Sequence, residues 1–476
     1  MKKRTVITLL FFLFLSVNNY AQNRSVIRGK VSSQGKGVSQ VVVTDGFQCV
    51  QTDAKGNYQL TPFPEATFIY LSVPSGYKVP DNQGVPIHYI PLESEKKRYD
   101  FALTPNQKDE TKHRFVVHAD PQLYKEANFV RYQEILADCK EYIQQYPQEE
   151  CFGIDCGDLV GDKPQLYPSY ISSLAEVGIP FYRAMGNHDM TLFGCSNETS
   201  RKTFESYFGP SYYSFNKGKA HYVILNDVFY LGRDYFYMGY LNGRMLKWLE
   251  EDLSYVPQES VVFIAMHIPT RLEEEKVGFE YSNQNIAGRV SNADFLYELL
   301  KPFRSHILTG HTHYNRNLEY TPRLYEHITA AVCGTWWQGA VCLDGTPQGY
   351  GVYEVRGDSV SWFFKSAGFP SQHQMRIYPV GEITSCPDHF TVNVWNWDKQ
   401  WRVEWLEDGE LKGEMTRFSA CDPEVVRMCA DKEKLEFSWI SAEENDHMFR
   451  AKPVDPNAKI TVRVTDRFGN IYLDEL

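Results

Sequence analysis

The sequence predicts an α/β core held between two β-rich domains, and three observations carry that reading. From Phe115 to about Phe364, short apolar runs alternate with amphipathic stretches of helical period, the pattern of a layered α/β domain. Before it, from Ser25 to about Leu103, and after it, beyond Gly368, the chain turns to short alternating runs broken by turn residues, as antiparallel β structure does. Polar clusters also close several of the core's apolar runs, the place where an open α/β sheet positions its chemistry. A chain of 476 residues exceeds what one hydrophobic core supports, and three domains fit that length. Hydrophobic residues at 43% and charged residues at 23% exclude a disordered or fibrous chain.

The elements follow in order. Residues 1–21 read as a secretory signal: basic Met1-Lys2-Lys3-Arg4, an apolar run from Val6 to Val17, and a cleavage site after Ala21. The run is shorter than the roughly 20 residues of a spanning helix, which leaves an uncleaved anchor as the alternative. No Cys follows to accept a lipid and no later segment is long and apolar enough to span, so an exported chain, periplasmic or extracellular, is expected. Residues 22–104 form the first β domain, with strands at Val26–Val31, Val41–Val43, Tyr58–Leu60 and Phe68–Leu71. Gly29-Lys30-Val31 followed by Thr52-Asp53 and Gly56-Asn57-Tyr58 resembles prealbumin-like sandwiches, which implies a β-sandwich. Thr104 to Glu110 is polar and reads as a linker.

The core, 112–365, should open with the strand Phe115–His118 and the helix Asn128–Tyr146, then the strand Cys151–Cys156 and the helix Tyr167–Val177. Strands at Phe181–Met185 and His221–Leu225, a helix at Arg244–Leu253 with a Leu and Trp face, and strands at Val261–Met266 and His306–Thr309 complete it. The last domain, 375–476, is β-rich, as in Phe390–Trp397 and Ile460–Val464.

The net charge of -11 without a basic cluster excludes a nucleic-acid polymer as partner. Ten cysteines are scattered with no Cys-x-x-Cys pair, which excludes a zinc ribbon. Cys333 with Cys342, and Cys421 with Cys429, are near enough in sequence to bridge; the others are expected to pack as small hydrophobes.

The chemistry lies in five clusters: Asp120-Pro121-Gln122, Gly157-Asp158, Gly186-Asn187-His188-Asp189, His267 and Gly310-His311-Thr312-His313. They offer hard oxygen and imidazole nitrogen donors, the ligand set of divalent cations. His311 and His313 sit two apart, so extended backbone would point both rings the same way.

These motifs, in this order, resemble the calcineurin-like metallophosphoesterases. The whole chain is similar to a bacterial exported subgroup whose catalytic domain, a layered β-sandwich flanked by helices, lies between N-terminal and C-terminal β domains. The resemblance implies two divalent metals (Mn, Fe, Mg or Zn). It places Asp120 and His313 on one, Asn187, His267 and His311 on the other, and Asp158 between them. His188 would be a general acid oriented by Asp189, with a bridging hydroxide attacking phosphorus in line. Gln122 stands where many members have an imidazole. An amide oxygen is a harder and weaker donor, which shifts preference from zinc toward manganese, magnesium or iron.

Trp336 and Trp337 read either as an aromatic core pair or as a platform stacking a sugar or base, and Asp344-Gly345-Thr346-Pro347 as a hairpin turn or part of that site. Arg183 either clamps phosphate or is neutralised by Asp155. The implied function is a metal-dependent hydrolase of a phosphomonoester or phosphodiester, its substrate a phosphorylated small molecule or a glycan or lipid phosphate. Alternatives are a nucleotide or sugar-nucleotide pyrophosphatase, and a phospho-glycan binding protein with a weakened metal site.

Overall fold

Two β-sheets face each other at the centre of the computed structural model, which describes residues 25–232, 236–273 and 282–476; the expected signal at 1–21 lies outside them. The first sheet runs Phe181–Arg183, Glu150–Asp155, Lys112–His118, Gly349–Arg356, Ser359–Ser366 in spatial order. Its first three strands are parallel and its last two antiparallel. The second runs Tyr213–Lys217, Ala220–Ile224, Val261–Ala265, Arg304–Thr309, Leu324–Ile328, Arg316–Thr321. Its four central strands are parallel and each edge strand antiparallel. Central strands such as Val261–Ala265 and Glu150–Asp155 are buried along their whole length. They therefore read as continuous apolar runs rather than alternating ones.

Between the sheets the filling is aromatic. Phe115 meets Phe263 edge to face at 5.0 Å, and Phe152 meets Tyr222 at 5.2 Å, geometries favoured by the ring quadrupole. The helix Asn128–Gln144 covers the first sheet, with Tyr142 packed on Tyr350 and Phe363. The helix Gly243–Leu253 is fixed at its start by Asn242, whose side chain accepts from Met245 N–H.

Each flank has its own apolar core. In the N-terminal region, Ile27, Val31, Val43, Leu71 and Phe101 pack between two sheets. In the C-terminal region, two four-stranded sheets enclose Phe390, Val392, Trp405, Val462 and Val464. The stretch expected to be a linker is instead anchored. Thr104 and Pro105 end the strand Phe101–Pro105, and Glu110 is buried 3.0 Å from Lys217, which also reaches Glu150 at 3.0 Å. A polar composition cannot reveal a carboxylate whose counter-ion lies a hundred residues away. Neither pair that lies near enough in sequence to bridge does so: all ten cysteines are free. Cys342 Sγ instead donates to Ala331 C=O, and Cys333 Sγ to Gly334 C=O.

Four histidines remote from the motif clusters are buried neutral. Desolvation lowers His88 and His113 to about 4 and His306 to about 3, and drives His327 well below its usual value. Each binds a proton more weakly folded than unfolded, so its stability contribution is complete above pH ~6.5 and falls as pH drops toward the folded values. We expect a loss of up to about 1.4 kcal/mol per pH unit per histidine across that window. The change in urea midpoint from pH 7.5 to pH 5 should therefore be less negative in His88→Phe than in wild type; an equal change in both would contradict this burial.

Candidate metal centre

All five motifs sit just beyond the C-terminal ends of parallel strands, on one rim shared by the two sheets. Asp120, Asp158 and Asn187 follow Lys112–His118, Glu150–Asp155 and Phe181–Arg183; His267 and the His311–His313 pair follow Val261–Ala265 and Arg304–Thr309. Hydrogen bonds from backbone N–H groups lock the loops together. Asp120 N–H donates to Gly157 C=O (3.2 Å), Gln122 N–H to Asp158 C=O (2.8 Å) and His311 N–H to Asp120 Oδ2 (2.8 Å). Gly186 and Gly310 permit this closeness, since a Cβ would lie 2.1 Å from Asp158 Oδ1 at the first and 2.4 Å from Asp120 Oδ2 at the second.

The backbone around these side chains is unusual. Asp120, Gln122, Asp158, Asp162, His311, His313, Trp336 and Trp337 all have φ between 38° and 70°, a region side-chain-bearing residues enter at a cost of about 1 kcal/mol or more. The expectation of extended backbone at His311 and His313 is thus wrong. The left-handed turns, and not a two-residue period, aim the rings: His311 at His267 and His313 at Asp120.

Two groups of donor atoms result. In one, His267 Nε2 lies 2.9 Å from Asn187 Oδ1, 3.1 Å from His311 Nδ1 and 3.4 Å from Asp158 Oδ1. In the other, His313 Nε2 and Asp120 Oδ1 are 3.5 Å apart, and both are buried without a hydrogen-bond partner. The outer nitrogens are anchored: His267 Nδ1 donates to Cys156 C=O at 2.8 Å and His313 Nδ1 to Gly334 C=O at 3.1 Å. That leaves each Nε2 facing inward, as metal-ligating histidines are arranged. Asp120, Asp158 and His267 present ligand atoms within 4.8 Å of one another. Burial opposes a charge on His267, yet Asp158, with Asp120 and Asp227 beyond it, raises the imidazole to about 10. The adjacent His311 is lowered to about 3 by burial and by His267, so this pair holds a single positive charge, and the orphaned inward atoms of Asp120 and His313 fit divalent cations.

Gln122 is buried and donates through Nε2 to Asp158 Oδ2 at 2.8 Å.

The expected partnership of His188 with Asp189 is not formed. His188 Nδ1 donates to Asp162 Oδ2 at 2.9 Å. Asp189 is buried beneath the loop, accepting from Gly186 N–H (2.9 Å), Leu159 N–H (3.2 Å) and Tyr167 Oη–H (3.0 Å). The short helical turn Asn187–Asp189 directs successive side chains apart, so Asp189 buckles two loops together while His188 faces the rim. Burial and then Asp158 raise the Asp189 carboxyl. For His188, burial opposes the charge, but Asp158 and the Asp162 hydrogen bond outweigh it and raise the imidazole.

The remaining candidates divide. Arg183 is buried, its guanidinium over the Tyr170 ring, 4.0 Å from Asp155 Oδ2 and donating to Phe181 C=O; it faces the interior and not the rim. Trp337 is buried too, with Nε1 donating to Pro121 C=O (3.0 Å), so it braces the Asp-Pro-Gln loop. Trp336 lies flat on His313 at 4.2 Å. Asp344 is a buried tie to the C-terminal domain, accepting from His447 Nε2 and Asn315 N–H. Sequence reasoning missed Asp162, four residues beyond Asp158, while Asp227, at the end of an apolar run on the same rim, reads from the sequence as a turn cap. Asp227 instead receives His267 N–H (3.2 Å) and Ile268 N–H (2.7 Å) and so sets the His267 loop. An acidic residue closing the Gly157-Asp158-Leu159-Val160-Gly161-Asp162 stretch was the available signal for the first; for the second it was a place just beyond the strand Ala220–Ile224.

Three family models match successive stretches of the chain. Residues 113–315 match calcineurin-like phosphoesterase, 25–106 match the N terminal of calcineurin-like phosphoesterase, and 326–472 match its C terminal. The chain belongs to the calcineurin-like phosphoesterases and is a hydrolase acting on phosphoric ester bonds. Among solved structures it is similar to a dimetal phosphatase from Danio rerio, with 13% identity, 54% of this chain and 96% of that one covered, and a TM-score of 0.39. It is also similar to the purple acid phosphatase PPD1 of yellow lupin, with 11% identity, 72% and 66% covered, and a TM-score of 0.38. A 5'-nucleotidase from Candida albicans shares 13% identity over 55% and 53%, with a TM-score of 0.33. No curated protein matches the chain in sequence.

Proposed function

We propose that this chain is an exported phosphomonoesterase or phosphodiesterase that works with two divalent cations, and the observation carrying this is Asp158. It lies at the junction of both donor groups, with Oδ1 toward His267 and Oδ2 toward Gln122. Asp120, Gln122 and His313 would hold one cation, Asn187, His267 and His311 the other, with Asp158 shared. When bound, the cations supply Lewis acidity toward phosphoryl oxygens and lower the pKa of water. The donor set, rich in oxygen, favours manganese, magnesium or iron over zinc.

His188 stands at the rim with 26% of its side chain exposed. Its Nδ1–H is committed to Asp162, which fixes the ring and favours the protonated form. Nε2 is then the atom that gives its proton to the departing alkoxide oxygen as the P–O bond breaks. Asp162→Asn removes one of the influences that raise His188, so its pKa should fall. The alkaline limb of the pH–rate profile should then move to lower pH, with metal content retained; an unmoved limb would detach Asp162 from this role.

The reading is tested by stripping metal with chelator, restoring manganese, and assaying p-nitrophenyl phosphate and its bis ester. Turnover of either that returns with about two metals per chain is expected. No turnover of either, with one metal retained, would favour a phosphate-binding protein.

A further inference from the structure

Trp439, on the C-terminal domain, stands beside the metal-ligand cluster with 58% of its surface exposed. Its indole meets Trp336 edge to face at 4.5 Å, and Trp336 in turn lies on the His313 ring. On its other side Phe437 stacks against it at 5.6 Å and leads to Tyr124 at 5.5 Å. The segment is pinned in place. Glu436 accepts from Tyr124 Oη–H at 3.2 Å, pairs with Lys125, and gives its own N–H to Gln338 Oε1 at 3.0 Å. Lys125 and Glu436 neutralise one another, so recognition along this shelf falls to ring faces.

A tryptophan is highly buried on average, and one held rigid in the open beside a reaction centre offers a stacking face to a ring. Trp336, kept at φ 46°, joins that face directly to a residue of the donor set. We propose that Trp439 and Trp336 form a subsite for the leaving group, selecting phosphoesters whose alcohol carries a flat or pyranose ring. This deepens, and rests on, the phosphoesterase reading.

Two measurements test it on the full-length protein. The first compares kcat/KM for adenosine monophosphate, glucose 1-phosphate and glycerol phosphate in wild type, Trp439→Ala and Trp439→Phe. Trp439→Ala should lower the ratio of ring-bearing to glycerol ester by about 10-fold, the loss of one stacking partner, through KM and not kcat, and Trp439→Phe should restore most of it. Whether the nucleotide or the sugar ester carries the effect separates a base from a pyranose; an equal fall for all three esters overturns the subsite. The second uses 5-fluorotryptophan-labelled protein in chelator, with the Trp439 fluorine resonance identified by Trp439→Phe. Its movement with a ring-bearing ester and not with glycerol phosphate supports the subsite, and a resonance that moves with neither ring-bearing ester overturns it. Failure of turnover on every ester would instead strike the phosphoesterase reading, while the fluorine signal still decides the shelf.

Discussion

Replacing Asp158 with Asn is expected to abolish metal uptake and phosphoester hydrolysis together. The substitution is isosteric, and the amide oxygen can still accept from His188 N–H, now 2.8 Å from Asp158 Oδ1. What goes is the negative charge shared by both donor groups. Charge neutralisation at a metal site is worth several kcal/mol, so turnover should fall on the order of 10³-fold or more. Despite burial, the same carboxylate is held ionised by His267 and His188 and in turn supports the charge on His267, so the metal-free variant should unfold at a lower temperature than metal-free wild type. Added manganese should then raise the midpoint of wild type alone. Full metal content with retained activity in Asp158→Asn would sink the two-cation arrangement.

His188→Ala should produce the opposite dissociation, with metal retained and chemistry lost. The ring donates to Asp162 and stays 3.9 Å from the nearest Asp158 oxygen, contributing to neither donor group. Its backbone N–H, which does touch Asp158, survives the change. Turnover should fall by about 10²–10⁴-fold, the range for removing a general acid. The deficit should be largest for esters with basic leaving groups and smallest for p-nitrophenolate, which departs without a proton. Loss of metal, or an equal deficit for all leaving groups, would remove His188 from the role.

The order of elements and the residues that gather at the rim could be read from the sequence because both are local signals. Fully buried parallel strands leave unbroken apolar runs such as Val261–Ala265, and each motif sits immediately after one. What could not be read depends on the backbone turning between motifs. Asp189 adjoins His188 in sequence, yet a tight helical turn separates their side chains and hands the imidazole to Asp162. Arg183 and Trp337 have the chemistry of substrate contacts, but burial against Asp155 and against the Pro121 carbonyl gives them interior work. Glu110 looked like part of a linker because its partner Lys217 lies far along the chain. Trp439 had no motif at all; only the packing of the third domain against the second brings it to the rim.

The donor set straddles a seam. Asp120, Asp158 and Asn187 rise from one sheet, and His267, His311 and His313 from the other. Cations held there would act as rivets between two half-shells, which could not part without tearing out the metal. Metal capture would accordingly mark the last step of the domain's assembly: neither half-shell alone carries a full ligand set, and a chain with the sheets misregistered would stay unriveted. Refolding followed by metal uptake would therefore time the closing of the seam itself.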